Sequence, residues 1–141
     1  MQKQEALKIH PVTLAFVGDA VYSLYVREKL VKEGEYNLGV YQKAASAAVS
    51  ARGQNALLQK IEPFFTEEEA EIFRRARNSK KNSKAKNATS AEYNRSTGFE
   101  AVIGYLYLTE NSARLTELFA YAEISAEKAC VEMQKIKEFK P

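Results

Sequence analysis

The chain has 141 residues, is 45% hydrophobic and 28% charged, and carries one cysteine, one histidine and a formal net charge of +3. That length supports a single domain, residues 1–141, with a core of its own, and that balance excludes a largely disordered chain. Cys130 alone excludes an intramolecular disulfide, His10 alone excludes a Cys/His zinc site, and no uncharged run approaches the roughly 20 residues that cross a bilayer, so a reducing cytoplasm is the expected setting.

The N-terminal MQKQEALKIH has no apolar core of the kind an export signal needs. Pro11 can open a long first helix that runs to Leu30 or Val31 and stops at Gly34; its apolar residues cover most of its circumference, which makes it central. Asn37 is a candidate N-cap for a second helix through Val40, Tyr41, Ala44, Ala45, Ala48 and Val49. That helix is expected to bend or break near Gly53 before Leu57, Leu58 and Ile61. Thr66 and Glu69 form a capping-box pattern that opens a helix ending near Arg77.

Residues 78–91, NSKKNSKAKNATSA, are polar and poor in large apolar side chains and are expected to form an exposed, mobile loop. A further helix carries Phe99, Val102, Ile103, Leu106 and Tyr107, is apolar on several faces, and is expected to pack on the first. Leu115, Leu118, Phe119 and Tyr121 follow, then Ser125 as the cap of a last amphipathic helix through Ala129, Val131, Met133 and Ile136. No repeat, heptad array or strand alternation is present, so the fold class is all-α. The spacing of the Tyr and Phe residues makes them mostly core, Tyr22, Tyr25 and Tyr105 included, and Cys130 has no evident activating partner.

The charge is unevenly placed. Between Glu71 and Glu92 lie Arg74, Arg75, Arg77, Lys80, Lys81, Lys84 and Lys86 and no acid. Setting these seven aside turns the net charge of +3 into −4, so an acidic body carries one basic segment suited to a polyanion.

Two acids interrupt apolar runs: Asp19, the only aspartate, in FVGDAVYSLYV, and Glu100 in STGFEAVIGYLYL. Burying an unpartnered carboxylate costs several kcal/mol, roughly, so such groups pair, shift their pKa or bind metal, and two on separate helices suggest one shared site. Gly18 and Gly104 would let the helices approach. Two carboxylates beside small side chains suit a hard cation such as Mg²⁺, which takes oxygen ligands and keeps several waters.

FVGDAV at residues 16–21, FEAVIGYLYL at 99–108 and the basic RRARNSK at 74–80 resemble the ribonuclease III family, and more closely its short bacterial branch, Mini-ribonuclease III, which lacks the appended double-stranded-RNA-binding domain. The resemblance implies an all-helical, homodimeric endonuclease domain that cuts double-stranded RNA with Mg²⁺ and leaves 5′-phosphate and 3′-hydroxyl ends. In the short branch it implies maturation of the 23S ribosomal RNA precursor, with ribosomal proteins as candidate partners. It makes Asp19 and Glu100 the catalytic metal ligands and puts Phe16 at the dimer interface, and a two-fold dimer independently suits the cutting of two strands.

Ala15 and Thr97 stand where the full-length family carries two further acids, and Val12 stands where its signature begins with one. An ion here would rely more on water and RNA. The expected reaction is hydrolysis by in-line attack of water on phosphorus with no covalent intermediate. The basic segment would supply affinity and salt dependence without sequence choice. The alternative is a non-catalytic member of the same fold that binds structured RNA.

Overall fold

The computed structural model describes residues 1–80 and 89–138, with side chains to residue 135. Eight α-helices and one 3₁₀ turn make up the described residues: α1 (Lys3–Leu7), α2 (Pro11–Glu33), α3 (Leu38–Val49), α4 (Ala51–Ile61), the turn Glu62–Phe64, α5 (Glu67–Asn78), α6 (Ser90–Leu108), α7 (Ser112–Phe119) and α8 (Ala126–Glu138). The all-α class is as expected. No described helix is long and apolar enough to cross a membrane.

Helix α2 begins as Pro11 predicts, with the His10 ring nitrogen accepting from the Val12 N–H, and it ends at Gly34. It lies along α6 as the central pair. Leu14 meets Gly104 and Tyr22 meets Phe99, so the two helices run antiparallel. Their approach is set by glycine: a Cβ on Gly18 would fall 1.7 Å from the Glu100 carbonyl oxygen, and one on Gly104 would fall 1.9 Å from that of Leu14. No side chain fits at either point. Around this seam Tyr22, Val26, Leu30, Phe99, Val102 and Ile103 are buried.

The second predicted helix is two. Ser50 ends α3 and caps α4 by accepting from the Gly53 N–H, so the break lies three residues before the expected glycine. Gly53 has a different task. A Cβ there would lie 2.1 Å from the Ala47 carbonyl oxygen, so the glycine lets the start of α4 fold back against the end of α3.

The Thr66–Glu69 capping box forms at α5. A second box, Thr89 with Glu92, starts α6 at Ser90, inside the stretch expected to be loop. Lys81, Lys84 and Lys86, and with them most of the loop expected at 78–91, lie outside the described residues. Phe73 on α5 packs over Gly98 on α6, where a Cβ would come within 2.6 Å of its ring. Ser125 caps α8 as expected, and the Glu33 carboxylate at the end of α2 also accepts from the Ala126 N–H. Buried Glu69 and half-buried Arg114 form an ion pair at 2.8 Å that joins α5 to α7.

Candidate active site

The glycine seam carries the two acids. Asp19 follows Gly18, and Glu100 contributes the carbonyl that Gly18 approaches most closely, so the closest backbone contact of α2 and α6 brings both carboxylates to one place. They share an open cavity of about 390 Å³ whose wall also includes Ala15, Phe16, Gln54, Tyr93, Ser96 and Thr97. The two acids expected to share a site therefore do meet.

Their environments differ. Glu100 is half-buried, whereas Asp19 is exposed at the rim, contrary to the burial that its apolar surroundings suggest. The cause is the shape of α2: its apolar residues run round the whole helix, but only one side packs on α6. Phe16, Leu24 and Val31 on the open side are 80%, 66% and 64% exposed.

Burial first, then a hydrogen bond with the Asp19 carboxyl and the like charge of that group, push the Glu100 carboxyl up to about 9; the Gln54 amide N–H pulls the other way. A divalent cation beside the Glu100 carboxyl would act against that rise by favouring its charged form. No cluster of three or more His, Cys, Asp or Glu occurs among the described residues. The available donors are two carboxylates beside the hydroxyls of Ser96 and Thr97 and the side-chain carbonyl of Gln54. That all-oxygen set fits a hard ion that retains water.

Ala15 and Thr97, where the resemblance leads one to look for acids, line the cavity with a methyl group and a hydroxyl. The Thr97 hydroxyl donates to the Tyr93 carbonyl at 3.0 Å.

Of the basic residues, Arg74, Arg75, Arg77 and Lys80 are placed, at and just beyond the C-terminal turn of α5, where cations complement the helix dipole. Arg74 grips Glu71 through two N–H groups at 2.7 and 3.1 Å, and Arg75 and Lys80 are exposed. The Arg77 guanidinium lies 5.6 Å from the Phe73 ring centre, as does that of Arg95 on α6. Phe73 thereby ties the basic end of α5 to the helix that carries Glu100.

Sequence reasoning missed Arg95 and Gln54. Arg95 donates to Asn55 and pairs with Glu62, partners 40 and 33 residues away that no local pattern announces. For Gln54 a signal existed: it precedes Leu57, Leu58 and Ile61 by three, four and seven residues, which puts it on the buried face of α4.

The model of the Ribonuclease III domain family matches residues 12–111. A Mini-ribonuclease 3 from Symbiobacterium thermophilum is 41% identical over 122 residues, 86% of this chain and 94% of that protein. One from Streptococcus pneumoniae is 44% identical over 115 residues, 80% of this chain and 90% of that protein. Among solved structures, the crystal structure of a Fusobacterium nucleatum protein matches with a TM-score of 0.75 at 32% identity, covering 80% of this chain and 92% of that one.

Proposed function

The chain belongs to the ribonuclease III domain family and is an endoribonuclease, and we propose that residues 1–141 act as one catalytic domain that cuts double-stranded RNA with Mg²⁺ held by Asp19 and Glu100. The observation that carries this reading is the convergence of the two carboxylates, carried on separate helices, on one open cavity. The substrate we infer is the base-paired end region of the 23S ribosomal RNA precursor. The setting is the cytoplasm, with ribosomal proteins as candidate assistants.

When bound, Mg²⁺ supplies positive charge for the phosphoryl and leaving oxygens and makes the attacking water more acidic. The chain supplies the geometry. Asp19, exposed at the rim, is accessible to an RNA backbone and can accept a proton or hydrogen bond from the attacking water. Glu100, deeper and fixed on α6, anchors the inner side of the site. Gly18 and Gly104 hold the two carboxylates in register, because neither helix can slide without driving a backbone into a backbone. Hydrolysis gives 5′-phosphate and 3′-hydroxyl ends and needs no covalent nucleophile.

Phosphates on either side of the cut are met by Arg74, Arg75, Arg77 and Lys80, continued in sequence by Lys81, Lys84 and Lys86. The unpartnered face of α2, with Phe16, Leu24 and Val31 each about two turns apart, is the surface on which a second copy docks. Phe16 belongs both to that face and to the cavity wall, so the interface adjoins the site. A two-fold pair of sites then faces two strands.

The test is cleavage of a long double-stranded RNA by wild type and by Asp19→Asn, with Mg²⁺ and with chelator. Metal-dependent cutting that disappears in a folded, RNA-binding mutant is the expected result. Cutting that survives in Asp19→Asn would remove the acid pair from the chemistry.

A further inference from the structure

Four polar side chains are buried among the described residues: Gln54, Glu69, Ser96 and Thr97. Glu69 pairs with Arg114, and the hydroxyls of Ser96 and Thr97 donate to the carbonyls of Ala51 and Tyr93. Gln54, 3% exposed, differs. Its Oε1 is buried and has no partner within the protein, the one such atom among the described residues.

The orientation of that amide follows from its neighbours. The Nε2 group donates to the Val49 carbonyl at 3.2 Å and to Glu100 Oε2 at 3.4 Å, both acceptors. Turning the amide over would set its oxygen against both and leave its N–H groups with neither, so the donor end faces Glu100. The position of the residue is equally fixed. Gly53 presses α4 against the end of α3, and the Asn55 amide joins α4 to α6 by donating to the Glu92 carbonyl at 3.0 Å and Ser96 Oγ at 3.3 Å.

A buried, unpaired carbonyl is destabilising, and an apolar side chain like Leu57 or Leu58 would fill the same face without that cost. We propose that Gln54 is a positioning residue for the reaction. Its N–H holds the Glu100 carboxylate in the orientation that meets Asp19, and its buried oxygen accepts from a water in the shell of the bound cation. Outer groups of this kind fix the direction of a ligand carboxylate and commonly change metal affinity or activity by about 10–100-fold. The inference rests on Asp19 and Glu100 being the ion-binding pair.

The test uses the full chain with Gln54→Met, which keeps the length of the side chain and removes both polar ends. Mn²⁺ is the probe, its binding followed by electron paramagnetic resonance, beside the Mg²⁺ requirement for cleavage, RNA affinity in chelator and thermal unfolding. Mn²⁺ affinity lowered at least tenfold and a matching rise in the Mg²⁺ requirement, with RNA affinity unchanged, is the expected pattern; a purely structural role would move only the unfolding temperature. A folded Gln54→Met within twofold of wild type in both metal measurements overturns the role of Gln54 alone. Wild-type Mn²⁺ binding or cleavage that is indifferent to Asp19→Asn overturns the ion pair and Gln54 with it. Should Gln54→Met not fold, the wild-type Gln54 side-chain NH₂ resonances are followed on addition of Mg²⁺: a shift supports the proposal, and none overturns it.

Discussion

Gly18 and Gly104 face each other so closely that a Cβ on the first would lie 2.8 Å from the backbone nitrogen of the second. One residue beyond Gly18 stands Asp19, and four before Gly104 stands Glu100. The spacing of the two acids and the packing of the helices are thus one geometric fact.

Gly18→Ala is therefore expected to force α2 and α6 apart, at a cost on the order of 3 kcal/mol, because the obstacle is backbone and cannot rotate away. Denaturant unfolding measures it. A loss below about 1 kcal/mol would mean that the seam accommodates a methyl group and that the approach of the two acids is not fixed by glycine.

Glu100→Gln should stabilise the metal-free protein near neutral pH. A carboxyl raised from 4.5 to about 9 favours folding while it is protonated, so its contribution is complete below 4.5 and is lost as pH rises toward 9. The amide carries no such penalty, and about 1 kcal/mol, roughly 3 °C in Tm, is the expected gain at pH 8, together with loss of cleavage. Parallel pH profiles of wild type and mutant would count against the raised Glu100 carboxyl.

The Glu69–Arg114 pair has the opposite sign. Burial acts to raise the Glu69 carboxyl, but the Arg114 guanidinium and the Thr66 N–H outweigh it and leave it lowered. Its contribution is present above 4.5 and disappears as pH falls through the lowered value. Arg114→Met strands a 4% exposed carboxylate and should cost roughly 3 kcal/mol at pH 7, with the deficit shrinking in acid. Thermal unfolding at pH 7 and pH 4 gives the comparison, and an equal deficit at both would refute the assignment.

Phe16→Glu should leave a folded monomer with little cleavage activity, since it puts a charge on the apolar face of α2. Sedimentation decides the matter. A mutant dimer of wild-type affinity would move the interface elsewhere.

Replacing Arg74, Arg75 and Lys80 together by Gln should weaken RNA binding at every sequence and lower the slope of log affinity against log salt by about 1 per lost phosphate contact. An unchanged slope would take the end of α5 out of the RNA interface.

Most of the helices, and both acids of the candidate site, were legible in the sequence because they rest on local rules. Pro11, Asn37, the Thr66–Glu69 box and Ser125 act within one turn, and the acids stood out against apolar neighbours. What was not legible depends on tertiary placement. The exposure of Asp19 follows from the side of α2 that faces α6, the break at Ser50 from the way α4 folds back across Gly53, and the role of Gln54 from a neighbour 46 residues away. The Thr89–Glu92 box was legible but hidden by the lysines before it.

Phe16, Gly18 and Asp19 lie within a single turn of α2 and point to open surface, to α6 and to the cavity respectively. Elsewhere on a helix, tolerance to substitution rises and falls every 3.6 residues as positions pass from core to solvent. Around these residues that rhythm should vanish. A saturation scan of α2 would show an unbroken intolerant block here, and the usual periodic pattern should return only toward Arg27 and Glu28, where one side of the helix again faces only water.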